Sequence, residues 1–447
     1  MIAEELPGLK IHEVPSGTQV FDWVVPREWN VVDAYVLDPD GNKIIDFARS
    51  NLHLVGYSTP VNVRVSLSEL QKHLYSLPDQ PDAIPYVTSY YQEHWGFCVT
   101  HRQREMITRE GDYTVVIDSQ LKDGSLTYAE LRIPGERKEE VFLSTYVCHP
   151  SMANNELSGP AVTTFLAKWL LSQKHRYSYR VVFIPETIGS ITYLSRNLDE
   201  MKRRIIAGYN VTCVGDDRSY SYLPSRRGHS LADRVALHVL THLHPGFVRY
   251  TYLDRGSDER QYCAPGVDLP VASVMRSKYG TYPEYHTSLD NLSLVTPSGL
   301  QGAFDVLRKC IECIELNEHL RVAVLCEPQL GRRGLYPTVS TKQSGLQTRN
   351  MMNLIAQCDG THSLLEIADE LKLPMWDLAP IVEKLKRCGL LAAQGPSSEE
   401  QTTELKSRDD SAVGDGALAL QAGSSTGPGT DKGSCRRGGR RGERCHR

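Results

Sequence analysis

The stretch VFLSTYVCHPSMANNELSGPAVTTFLAKWLLSQ, residues 141–173, decides the fold. It opens on a mainly apolar run of strand length, the pattern of a strand buried on both faces. A polar loop, CHPSMANNEL, then leads through Ser158 and Gly159 into a helix. The pattern repeats downstream: YRVVFIPE (179–186) reads as a second strand, GSITYLSRNL (189–198) as a helix and IIAGYNVTCVG (205–215) as a third strand. LADRVALHVLTHL (231–243) and PSGLQGAFDVLRKCIECIEL (297–316) are amphipathic helices that enclose a strand at LPVASVMR (269–276). This alternation predicts an α/β fold, a mostly parallel sheet flanked by helices. TVVIDS and LTYAELRIP, just upstream, read as its antiparallel start. Open sheets of this kind carry ligand groups at the C-terminal ends of their strands. Three sequences stand there and share one crevice: CHP, PET and VGDD.

Outward from this core, residues 23–98 are rich in aromatics and proline, with short β-like runs separated by DPDG and STP turns. They read as a small β-rich insert. It closes on IPYVTSYYQEHWGF, where Tyr86, Tyr90, Tyr91, Trp95 and Phe97 crowd together, as a packing cluster or as the rim of a substrate pocket. Residues 338–395 hold three short helix patterns and a final LLAAQ strand, which is winged-helix spacing. That segment carries six Lys/Arg against six acids, a balance that argues against DNA and for a dimerisation or docking module. A transcription regulator with a ligand-sensing domain would rest on this segment alone. The division expected is an α/β domain over 1–30 and 113–330, the insert over 31–112, the winged helix over 338–395 and a disordered tail over 396–447.

The 447 residues carry a formal charge of −4, yet residues 431–447 hold seven Lys/Arg against two acids. The remainder is therefore mildly acidic, which disfavours a nucleic-acid surface and favours a small molecule or short peptide as partner. No signal-like start and no run of about 18 apolar residues occurs, so a cytoplasmic protein without a membrane span is expected. Eleven scattered cysteines read as reduced thiols. The one CxxC, Cys310 to Cys313, falls on a helical apolar stripe and reads as plain helix. A homo-oligomer is compatible with all of this.

Within the crevice, His149 ends a strand, the position of an exposed ligand histidine. Asn154, Asn155 and Glu156 follow in the loop; each could donate oxygen to a metal, or simply cap the helix. Glu186 ends the next strand, where an acid needs a cation, a metal or a proton to carry. Asp258 and Glu259 lie in RGSDERQY. His286, with Tyr285 before it and Asp290 four residues on, lies in PEYHTSLDN, and Asp290 is placed to orient the imidazole. HExxH, GxGxxG and the P-loop are absent from the sequence. Cys148 next to His149 would suggest a thiol nucleophile, but adjacent strand residues point to opposite faces.

STYVCHPSMANNELSGPAV, VFIPETIGSI, SDERQYCAPGVDLPVAS and YPEYHTSLDN resemble the aminopeptidase-like family of unknown function, a distant relative of the zinc aminopeptidases and glutaminyl cyclases. IHEVPSGTQVFDWVVPREWNV and YVTSYYQEHWGFC are similar to the same family, as is the terminal winged helix. The resemblance covers residues 10–395. It implies that His149 and His286 match the two ligand histidines of the zinc aminopeptidases. The bridging-acid position falls on Asn155 with Glu156 beside it, the Glu-Glu pair is reduced to Pro185 and Glu186, and the third-strand Asp is replaced within NVTCVG. The expectation is one Zn²⁺, held by His149 and His286 with Glu186, Glu156 or Asp258. Glu186 would carry protons, and Asn155, Asp290 and Tyr285 would stand behind the ligands or against the substrate. The implied activity is metal-dependent hydrolysis of an amide or peptide bond. The alternative is a catalytically inactive aminopeptidase fold acting as a scaffold in polysaccharide or secondary-metabolite biosynthesis.

Overall fold

The computed structural model describes residues 1–89, 92–335 and 342–394. The tail expected over 396–447 lies outside them, as do Tyr90 and Tyr91 of the aromatic cluster. Residues 1–394 form one compact unit.

An eight-stranded sheet runs through its centre, in the order Lys10–Pro15, Ser125–Ile133, Ser178–Ile184, Glu140–Tyr146, Ile205–Asn210, Val271–Met275, Ser221–Leu223, Val248–Arg249. The four middle strands are mutually parallel, and antiparallel strands extend the sheet on both sides. Every residue of Glu140–Tyr146 is buried, because helices cover both faces. Alternation along the strand divides its side chains. Val141 and Leu143 enter the core under the helices Ser158–Leu171, Leu231–Leu243 and Pro297–Leu316, whereas Phe142 enters the opposite core with Val182, Ile184 and Ile191. Cys310 and Cys313 are buried within Pro297–Leu316, as ordinary helix residues.

The β-rich unit is a four-stranded antiparallel sheet, Lys43–Asp46, Glu28–Leu37, Asp112–Lys122 and Val61–Ser66. TVVIDS therefore belongs to this sheet and does not start the central one. Its burial alternates, with Tyr113, Val115 and Ile117 facing a separate core around Phe97, and an alternating strand fits a sheet covered on one face.

The winged helix begins earlier than the helix patterns alone indicate, because its first strand, His319–Val322, pairs with Leu391–Gln394 and Asp359–Ser363. Its helices Lys342–Gln357, Leu364–Leu371 and Met375–Arg387 share one hydrophobic core with the α/β domain. The turn between the last two helices grips His238. The imidazole Nδ1 lies 2.6 Å from Asp369 Oδ1, and Nε2 accepts from the Met375 N–H at 2.9 Å.

Candidate metal centre

Strand Glu140–Tyr146 stops before Val147, so Cys148 and His149 stand beyond its pleat. Alternation no longer separates them, and Cys148 Sγ lies 3.3 Å from His149 Nδ1. The two do share one site, contrary to the strand argument. The following loop closes as a π-helical turn, Ala153–Leu157, which swings the buried Glu156 back toward the strand end. Glu156 Oε2 accepts from the Cys148 N–H at 2.8 Å, and Oε1 lies 2.6 Å from His149 Nδ1. A carboxylate oxygen accepts, so Nδ1 donates in this contact and Nε2 is the nitrogen left for another partner. Burial pulls the His149 pKa down, but the hydrogen bond and charge of Glu156 outweigh it and the net shift is upward.

His149 Nε2 faces Glu186, whose Oε2 is 3.8 Å away. The His286 ring centroid is 5.1 Å from that of His149. His286 is held at a left-handed φ of 55° by the surrounding loop. Tyr285 stacks on it at 3.9 Å, and Tyr86 presents its ring edge to both histidines at 5.3 Å. Tyr86 N–H donates to His286 O at 2.8 Å, so the β-rich unit reaches the site. Burial, then the charge of His149, lowers the His286 pKa to about 4. The ring is therefore neutral, the form that binds metals. Its Nε2 is buried without a hydrogen-bond partner among the described residues.

Burial raises the Glu186 pKa despite the opposing charges of His149 and Arg260. Asp258 lies fully buried behind it. Its Oδ1 accepts from Thr187 N–H and Ser190 Oγ–H, both at 2.8 Å, while Oδ2 has no partner among the described residues. Burial, then the charge of Glu186, pushes the Asp258 pKa up.

Asp290 does not orient His286. It accepts from the backbone N–H groups of Ala153, Asn154 and Asn155 and from Tyr282 Oη–H, thereby fixing the loop that carries Glu156. Asn155 donates from Nδ2 to Tyr146 Oη at 2.8 Å and to Cys213 Sγ at 3.6 Å, and among the described residues to no acid.

The donor atoms of Cys148, His149 and Glu156 lie within 4.8 Å of one another. Two ligands on one tetrahedral zinc, at bonds of about 2.0–2.1 Å, stand about 3.3 Å apart. The 2.6 Å separation of His149 Nδ1 and Glu156 Oε1 is a hydrogen bond instead. Of the residues expected to hold one Zn²⁺, His149 Nε2 lies 3.8 Å from Glu186 Oε2, and the ring of His286, whose Nε2 has no partner among the described residues, lies 5.1 Å from that of His149. Two imidazoles and a carboxylate form an established catalytic zinc donor set.

Sequence reasoning passed over Cys148, Ser257 and Arg260 as contributors to this centre. Ser257 stands close enough to Glu186 to favour its ionised form. Its position beside Asp258 in SDER was the available signal.

The fold and this centre define an aminopeptidase-like α/β protein with a C-terminal winged helix. The chain belongs to the family described as a domain of unknown function (DUF4910), whose profile matches residues 1–317, and a winged helix-turn-helix profile matches residues 318–393. A Clostridium acetobutylicum protein, named for polysaccharide biosynthesis and an aminopeptidase-like domain, is 46% identical over 370 residues, covering 82% of this chain and 84% of that one. A crystal structure from the same organism, described as that of a peptidase, superposes with a TM-score of 0.83 at 44% identity, covering 88% of this chain and 90% of that one. A zinc aminopeptidase from Bacillus subtilis gives a TM-score of 0.50 at 14% identity, over 69% of this chain and 86% of that one, and so shares the fold.

Proposed function

We propose that the protein is a metal-dependent hydrolase of an amide bond in a small molecule or short peptide, with one Zn²⁺ held by His149, His286 and Glu186. The observation that carries this reading is the division of His149. Its Nδ1 is committed to Glu156 at 2.6 Å and its Nε2 lies 3.8 Å from Glu186, while the neighbouring His286 has an Nε2 without a partner among the described residues. A Zn²⁺ held there by His149, His286 and Glu186 would supply Lewis acidity toward an amide carbonyl and acidify a water.

The chain's own residues do the rest. Glu156 fixes the tautomer and the direction of His149. Asp290 holds the loop that carries Glu156. Asp258 lies buried behind Glu186, and burial together with the charge of Glu186 raises its pKa. Tyr86 and Tyr285 wall the two imidazoles and exclude water on that side. The name of the Clostridium acetobutylicum relative supports an amide on a polysaccharide precursor.

Aminoacyl 4-nitroanilides test the reading. Chelator-sensitive hydrolysis, lost in His149→Ala, is expected, and no turnover after reconstitution with zinc contradicts it. Glu186→Gln separates the roles of that residue: loss of metal makes it a ligand, while retained metal with lost turnover makes it the proton carrier.

A second reading has its own observation. Asn155 occupies the bridging position as a neutral amide bound to Tyr146, and Pro185 stands in place of the first acid of the Glu-Glu pair. These favour a scaffold that has lost hydrolysis, and it would bind metal without turnover.

A further inference from the structure

Arg260, in the short helix Glu259–Tyr262, stands beside the metal centre without serving it as a ligand. Its Nη2 donates to Thr187 Oγ1 at 2.6 Å, directly after Glu186 in sequence. Its Nε is buried and donates to no described residue. Two neighbouring arginines are paired with carboxylates, Arg218 with Glu284 and Arg226 with Asp268. Arg260 has no carboxylate within 4.0 Å among the described residues, although it is close enough to Glu186 for its charge to favour that residue's ionised form. A half-buried guanidinium with no carboxylate in contact and an unfilled donor is costly unless something meets it.

The residue that aims Arg260 is itself unusual. Thr187 is held at φ 64°, a left-handed conformation that a β-branched residue rarely adopts. Asp258 Oδ1 anchors its backbone N–H at 2.8 Å. This conformation presents the threonine hydroxyl to the guanidinium. Strain kept in place by surrounding bonds next to a site is the mark of pre-organisation.

We infer that Arg260 binds a carboxylate carried by the substrate, so that the amides this centre takes are acidic ones. The planar fork of arginine suits a carboxylate, and Thr187 fixes its direction before binding. The assignment of that carboxylate to a substrate rests on the hydrolase reading above; the anion site itself does not.

N-acetylglycine and its neutral isostere N-acetylglycinamide, titrated calorimetrically into the full chain as purified and again after chelator treatment, test this. The wild type should bind the acid at least tenfold more tightly than the amide in both states. Arg260→Gln should bring the two within about twofold, and Arg260→Lys should recover only part of the difference, since an ammonium lacks the fork. If Arg260→Gln does not fold, Thr187→Val, which removes only the orienting hydroxyl, should cut the preference about threefold. Equal binding of the two probes, binding of neither, or a preference untouched by these variants overturns the inference. Arg260-dependent preference without any anilide turnover would sink the hydrolase reading alone. Turnover without that preference would sink this one alone.

Discussion

Glu156 Oε1 and His149 Nδ1 lie 2.6 Å apart, and this bond determines which nitrogen of the histidine can meet a metal. Replacing Glu156 by Gln keeps the shape but presents an amide that can also donate, so the tautomer is no longer enforced. Zinc affinity, measured by competition with a chromogenic chelator, should weaken about 10–100-fold, as partners behind ligands typically do. Unchanged affinity would mean that Nδ1 needs no acceptor.

Asn155→Asp restores an acid at the bridging position. One metal per chain is nevertheless expected, because Pro185 and the NVTCVG segment still withhold the remaining donors of a second ion. The new charge would also sit buried against Tyr146 and Cys213, so the melting midpoint should fall. Two metals per chain by elemental analysis would show that the asparagine alone blocks the second site.

Much of this was legible in the sequence for a physical reason. A strand buried on both faces leaves a continuous apolar run, so the points where such runs end, at His149 and Glu186, stand out. Roles that depend on how loops fold over one another were not legible. Glu156 faces His149 because of a π-helical turn, and Asp290 reaches across to the loop at 153–155 instead of to His286 four residues away. The Cys148–His149 contact was misjudged because alternation was carried past the end of the strand. TVVIDS was placed in the central sheet because local pattern cannot say which sheet a strand joins.

Arg180, in the central strand Ser178–Ile184, is fully buried and bonds Glu140 of the neighbouring strand at 2.6 Å and Glu200 of the helix Ile188–Arg204 at 2.8 Å. Arg180→Met leaves Glu140 buried with less compensation, and a loss of about 3–5 kcal/mol in denaturant unfolding is expected. Glu200 is held down to about 2 by hydrogen bonds from Arg132 and Arg180, against burial. A depressed carboxylate contributes stability above its ordinary value of 4.5, and that contribution is lost as pH falls through about 2. Glu200→Gln should therefore flatten the stability curve below pH 4.5; an unchanged acid limb would contradict the pairing.

His238→Ala removes the acceptor of the buried Met375 N–H and the partner of Asp369. A loss of about 1–3 kcal/mol follows from leaving that donor unpaired. The chain should still unfold in one transition over residues 1–394, because the winged helix shares its core with the α/β domain. Two separate transitions would show the winged helix to be independent.

Metal content per chain, measured by elemental analysis of the purified wild type and of His149→Ala and His286→Ala, tests the central claim most directly. About one zinc per chain in the wild type, absent from both variants, is the predicted result. A wild type that takes up no zinc even after reconstitution, or variants that keep it, would contradict the centre described here.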